Sequence, residues 1–451
     1  MTPRRLILST ALALAFTVPA SAETVAIVGA RIETAGPKGA LARGTLVITD
    51  GRIAAMGADV LPPAGAQVID GTGKVVTPGL IAASTNLTAS EVEGVRATHD
   101  DSAGAGLSAG FDISYGVNLA STFVPRARQT GVTLAVVTPA PLQGGEEDDE
   151  GEDGQEVLEA RHLTAGAGEA GWRDPGLFGG QAAAVRLDEG DPDPVFKSRL
   201  AVTLDLLRGG PASSRGTAFV LLHTALADAR RFARDPAAFD RDAAASRYGR
   251  EDLEALVPVV QGRTPLLVRV QRAADIRQVL RFALAEHVHV ILEGAQEAWE
   301  VAPELAEAGV AVLVDPEDDL PESFDTLGAR LDNAARLQAA GVAVVIQGSR
   351  DFNNLRQARF NAGTAVAYGL PYEAAIASLT SVPARVFGFG DKAGLLEVGR
   401  EADVVVWSGD PLETSSWPLA VFIAGKRQPD TSRGLQLRDR YLPQDIAAGT
   451  P

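Results

Sequence analysis

The chain has 451 residues, no cysteine, 58 acidic against 41 basic side chains and a formal net charge of −17. That excess of negative charge argues against nucleic acid or an anionic membrane surface as a partner, and the lack of cysteine excludes disulfides and thiolate metal sites. Stability must come from an apolar core, which a chain of this length with 46% hydrophobic residues can bury.

At the start, Arg4 and Arg5 precede an apolar run from Leu6 to Val18 and then the small residues Ala20, Ser21 and Ala22. This is the pattern of a secretory signal peptide over residues 1–22, cleaved after Ala22. The apolar run is too short for a permanent membrane span. The arginine pair lacks the rest of a twin-arginine motif, so general secretion is expected, into a periplasm or the medium. Loss of Arg4 and Arg5 takes the formal charge from −17 to −19.

Residues 23–75 alternate short apolar runs with turn signals, at 25–28, 45–49, 52–56 and 68–71, with Asp50-Gly51 between the second and third. They read as a small antiparallel sheet. Residues 394–451 have the same character, with strands at 402–407 and 420–425 across the turn Gly409-Asp410-Pro411. Neither piece is a convincing domain alone, so one composite β-sandwich built from both ends is expected.

Between them, residues 76–393 alternate strand-like runs with helical patterns, the signature of parallel βα units. Strands are expected at 79–83, 131–138, 183–187, 265–270, 288–292, 310–314 and 342–346. Seven is one short of a closed eight-stranded barrel. The missing strand is sought in residues 188–262, where the run 217–222 reads as strand or helix. Tandem helices at 354–368 and 372–386 end this section. The run 144–156 holds eight acidic residues with no apolar anchor and reads as a solvated loop rather than a calcium site.

Three segments carry a family resemblance: Thr77-Pro78-Gly79-Leu80-Ile81; the stretch from Asn354 to Ala384, with Gly363 to Gly369 and Thr380 to Ala384; and Gly394 to Trp407 followed by Gly409-Asp410-Pro411-Leu412. They resemble the amidohydrolase superfamily, in particular its imidazolonepropionase-like periplasmic members. The resemblance implies an α/β fold, a (β/α)8 TIM-like barrel with the composite β-sandwich. It also implies a hydrolase of carbon–nitrogen bonds that uses metal-bound water, zinc being such a metal.

The ligand positions of that chemistry are changed here. The family carries Asp at the position of Ala82 and a His-x-His pair at those of Ser84 and Asn86. Arg269 stands where the family places a histidine at the end of a middle strand, and Arg350 where it places the final Asp, with Asp351 one residue later. A guanidinium repels a cation instead of binding it. Glu293, and Asp315 or Asp351, are carboxylates available to pair with the two arginines.

None of the five histidines replaces the lost set. His287 and His289 lie at the entry end of their strand, His162 and His223 read as surface residues, and His99 alone, after the first strand, is placed to lean over the barrel mouth. The sequence therefore reads as a degenerate amidohydrolase with no metal cofactor. In that reading it binds a small ligand, a carboxylate fitting the arginines, at Ser84, Asn86, Arg269, Glu293, Arg350 and Asp351. Or, instead of binding a ligand, it is expected to pair with an active relative or with itself. The alternative is a working hydrolase of amide, cyclic amide or dipeptide bonds other than ordinary peptide bonds.

Overall fold

A computed structural model describes residues 24–92, 95–104, 106–140, 177–207, 214–241, 246–348 and 352–442. The expected signal peptide and acidic run, His162, Arg350 and Asp351 lie outside them. No helix among the described residues is long and apolar enough to cross a membrane.

Strands from both ends of the chain share one eight-stranded sheet. Thr24–Glu33 pairs antiparallel with Ala40–Thr49, and that strand with Arg52–Gly57. The second pair turns at Asp50 (φ 50°) and Gly51 (φ 77°), the left-handed pair of conformations that a type I′ two-residue hairpin requires. Val75–Pro78 carries the sheet across to Val404–Trp407, antiparallel to it, and then to Pro418–Ile423. Not every pairing is antiparallel, as the sequence had suggested: Gln67–Asp70 and Val75–Pro78 both run parallel to Thr24–Glu33. Alternate residues such as Ile27, Ile32, Leu46, Ile48 and Ile53 point into a common core with Val404, Val406 and Phe422.

The central section is a mixed α/β arrangement of two strand arcs. One runs Val344–Ile346, Ala311–Val314, Val290–Gly294, Leu266–Val270, Val202–Asp205, Phe178–Gln181, with the first five parallel and the last antiparallel. The other runs Leu80–Thr85, Val132–Val137, Ala183–Arg186, Val195–Lys197. Ala182 links the two arcs, exchanging 2.9 Å hydrogen bonds with Ala201 and Leu200. Among the described residues no strand ladder joins Val344–Ile346 to Leu80–Thr85.

The expected strand directions and helix count are corrected here, and the missing strand is found within residues 188–262 as expected. The strand Ala183–Arg186 is antiparallel to both its neighbours, Val132–Val137 and Val195–Lys197, because residues 178–186 run back along the sheet instead of entering it through a crossover helix. The missing strand is Val202–Asp205, whereas residues 217–222 fall inside the helix Arg215–Arg234. That helix starts where Ser214 accepts a hydrogen bond from the Thr217 amide, a side-chain cap no strand would use. The tandem-helix section holds three helices, Gln357–Ala367, Tyr372–Ser378 and Ser381–Val386.

Strand alternation divides the core. Ile81, Leu134, Leu267, Ile291, Leu313 and Val345 face the interior with Phe387 and Phe389, while Val268, Leu292, Val312 and Ile346 face the helices. Each such side chain contributes about 1.5–3 kcal/mol on burial. The next inward positions, at the C-terminal strand ends, are Arg269, Glu293 and Asp315, so the apolar ladder ends on polar groups at the mouth.

The central section is pinned to the eight-stranded sheet at Trp407. Its ring is fully buried, its indole N–H donates to Thr77 Oγ1 at 2.9 Å, and Arg359 lies over its face. The Arg359 guanidinium donates to the carbonyls of Pro411, Glu413 and Ser416, and burial lowers its pKa to about 10. Gly131, at φ 89°, passes so close that a Cβ there would sit 2.6 Å from the Trp407 ring.

Candidate active site

The mouth is assembled from the ends of consecutive parallel strands. Asp205 is paired in register with Arg269, and Arg269 with Glu293, which sets three charged side chains side by side on three neighbouring strands. The Arg269 guanidinium lies 3.8 Å from Asp205 Oδ2 and 3.7 Å from Glu293 Oε2. These are ion pairs but not hydrogen bonds, which require shorter contacts. Asp205 is fixed on its other side, where Oδ1 accepts from the Leu207 amide at 2.8 Å. Burial pushes the Asp205 carboxyl above its ordinary range, against the opposing pull of Arg269.

Thr138, Asp205, Arg269 and Glu293 together line a cavity of about 20 Å³. Ser84, wholly buried, exchanges a 3.0 Å hydrogen bond with Thr138 Oγ1 and so stands one side chain behind that cavity. Asn86 does different work: its Oδ1 accepts from the Phe352 amide at 2.9 Å and ties the first strand end to the segment after Val344–Ile346. Asp315 ends its own strand, takes hydrogen bonds from Asn361 and from the Glu317 amide, and is raised to about 7 by burial and by Asp318.

The structure thus brings together Arg269, Glu293 and, through Thr138, Ser84. Arg350 and Asp351 lie outside the described residues. His99 contacts the Val92 carbonyl at 2.9 Å; His287 caps a helix C-terminus in the left-handed conformation; His223 pairs with Glu286. Sequence reasoning missed Asp205 and Thr138. The signal for Asp205 was the short apolar run Leu200 to Leu207 interrupted by one carboxylate.

Residues 261–431, which carry Arg269, Glu293 and Asp315, match the Amidohydrolase family. The chain carries an amidohydrolase-family domain. A 63-residue segment is 48% identical to Amidohydrolase tasK of Hapsidospora irregularis, and covers 14% of this chain but only 6% of that relative. The fold is similar to that of an amidohydrolase from Thermotoga maritima MSB8, at a TM-score of 0.74 and 19% identity over 91% of this chain and all of that one. It is also similar to molinate hydrolase (TM-score 0.53, 19% identity, 95% and 98% covered). A third likeness is to the β-aspartyl dipeptidase of Fervidobacterium islandicum-AW-1 (TM-score 0.51, 15% identity, 91% and 98% covered).

The positions where the resemblance would place ligands for a divalent metal hold side chains with other partners among the described residues. The Ser84 hydroxyl is committed to Thr138, the Asn86 oxygen to the Phe352 amide, and a guanidinium stands between the two nearest carboxylates. Among the described residues no group of three or more His, Asp or Glu is arranged to hold a metal ion.

Proposed function

We propose that the protein hydrolyses carbon–nitrogen bonds in small amides, cyclic amides or dipeptide-like compounds other than ordinary peptide bonds, and that it does so outside the cytoplasm. The carrying observation is the row Asp205–Arg269–Glu293, charged and only loosely paired, at strand ends within the segment that matches the family. Open α/β sheets and barrels place their sites at such ends. In this reading the two arcs close into a TIM-like barrel, with residues 23–75 and 394–451 forming the composite sandwich beside it.

Arg269 selects the substrate. Its free N–H groups suit a carboxylate or carbonyl oxygen, so N-acyl amino acids and acidic cyclic amides are the first compounds to test. Incubation of the purified protein with that panel, read by mass spectrometry, should show release of the amine or ring opening. In a thermal-shift assay Arg269→Ala should weaken binding of the same carboxylates by about 1.5–3 kcal/mol, the scale of a hydrogen bond to a charged group.

The replaced ligands Ser84, Asn86 and Arg269 favour a second reading, a pseudoenzyme that binds a carboxylate or pairs with an active relative or a second copy. It predicts the same loss of binding in Arg269→Ala with no turnover of any panel member.

Export rests on the pattern of Arg4, Arg5, the apolar run and Ala20 to Ala22. Intact-mass analysis of protein from the native cell envelope or medium should give a mature N-terminus at Glu23. Cytoplasmic protein that retains Met1 would rule out export.

A further inference from the structure

Resting on the hydrolase reading, we propose that the step at this mouth needs no metal: Asp205 acts as the general base for water, and Arg269 receives the negative charge that develops on the carbonyl oxygen. Three observations place these roles. The side chains stand in register on adjacent strands. The guanidinium lies 3.7 and 3.8 Å from its carboxylate neighbours, so its N–H donors are not consumed by them. The cavity that Asp205, Arg269 and Glu293 share with Thr138, about 20 Å³, is the size of a single water site and polar enough to hold one.

The chemistry closes on these groups. A water oxygen bonds to the substrate carbonyl carbon while its proton passes to Asp205 Oδ2. The carbonyl π pair moves onto oxygen, where the half-buried guanidinium of Arg269 stabilises it. As the intermediate collapses, the carbon–nitrogen bond breaks and the proton on Asp205 passes to the departing nitrogen, giving a carboxylic acid and an amine. Burial, which raises the Asp205 carboxyl, makes it a stronger base than a surface aspartate. Leu207 holds the opposite oxygen, so the basic one stays turned toward Arg269.

The test uses the full mature protein after exhaustive dialysis against EDTA, with the amide panel for turnover and methylphosphonate as a tetrahedral anion for binding. Turnover should survive chelation unchanged. Asp205→Asn should lower kcat by about 10²–10⁴, the usual contribution of a general base, and Arg269→Ala by about 10²–10³, that of a lost oxyanion donor. Methylphosphonate should bind the chelated protein and lose at least about tenfold in affinity in Arg269→Ala. A wild-type acid limb in kcat/KM above the ordinary aspartate range serves as a check that needs no variant to fold. Turnover that vanishes in EDTA and returns with zinc would overturn the metal-free step and leave the hydrolase reading standing. Absence of turnover across the panel, with methylphosphonate still held through Arg269, would instead remove the hydrolase reading itself.

Discussion

Replacing Trp407 with alanine lowers stability by about 3–5 kcal/mol, the range for removing a buried aromatic that leaves a cavity. The residue sits where the eight-stranded sheet meets the central section, with its ring fully buried, its indole N–H on Thr77 and the Arg359 guanidinium over its face. The loss combines apolar burial, a hydrogen bond to a buried hydroxyl and a cation–π contact, so the upper half of the range is expected. Urea unfolding should show a lower midpoint with an unchanged slope. Gly131→Ala should also destabilise, through the close approach to Trp407 and through its φ of 89°. In the Trp407→Ala background the steric part of that cost should disappear, since the ring atoms it would meet are gone. Equal costs of Gly131→Ala in both backgrounds would mean that the ring does not abut that turn.

The second large effect is a pH dependence opposite to that of most proteins. Burial raises Asp315 to about 7 and Asp319 to about 8, from an unfolded value of 3.8. Because the folded state holds these protons more tightly, their stabilising contribution is complete below pH 3.8 and is lost as pH rises through 7 and 8. While one such group is protonated folded and ionised unfolded, stability falls by about 1.4 kcal/mol per pH unit. Asp332 works in the other direction, since its pairing with Arg330 and Arg336 holds it near 2, but its contribution is lost only as pH drops below 3.8. Stability measured by denaturant between pH 5 and 8 should therefore decline with rising pH. Asp319→Asn, which substitutes a neutral group for a buried carboxyl whose Oδ2 has no partner, should flatten the decline and raise stability at pH 8. A profile that rises across this window, or an Asp319→Asn profile identical to wild type, would contradict the assignment.

The parts of the fold that the sequence made legible are those where local chemistry and burial agree. Asp50-Gly51 between two apolar runs could only be a tight hairpin, and the strands that end at Arg269, Glu293 and Asp315 announce themselves as short β-branched runs between helical patterns. The strand 202–205 was illegible for a physical reason. Four residues carry too little periodicity to stand out, and the longer apolar run at 217–222, which reads equally as strand or helix, lies in a helix capped by Ser214. Losing that strand hid Asp205, the residue that gives Arg269 a second carboxylate. The antiparallel course of residues 178–186 was equally hidden, because strand direction is written in the connections and not in the strand. At the site, Ser84 and Asn86 could be read as candidate positions, but their separate partners, Thr138 and the Phe352 amide, depend on which strand ends meet in space.

The most direct measurement is a crystal structure of the chelated protein with a phosphonate analogue of an N-acyl amino acid. The account predicts a phosphonyl oxygen within hydrogen-bond distance of the Arg269 guanidinium, a second within reach of Asp205, and no metal at the mouth. A ligand seated elsewhere, a metal ion bound at these strand ends, or Arg269 locked in close hydrogen bonds to both Asp205 and Glu293 beside an empty mouth would contradict it.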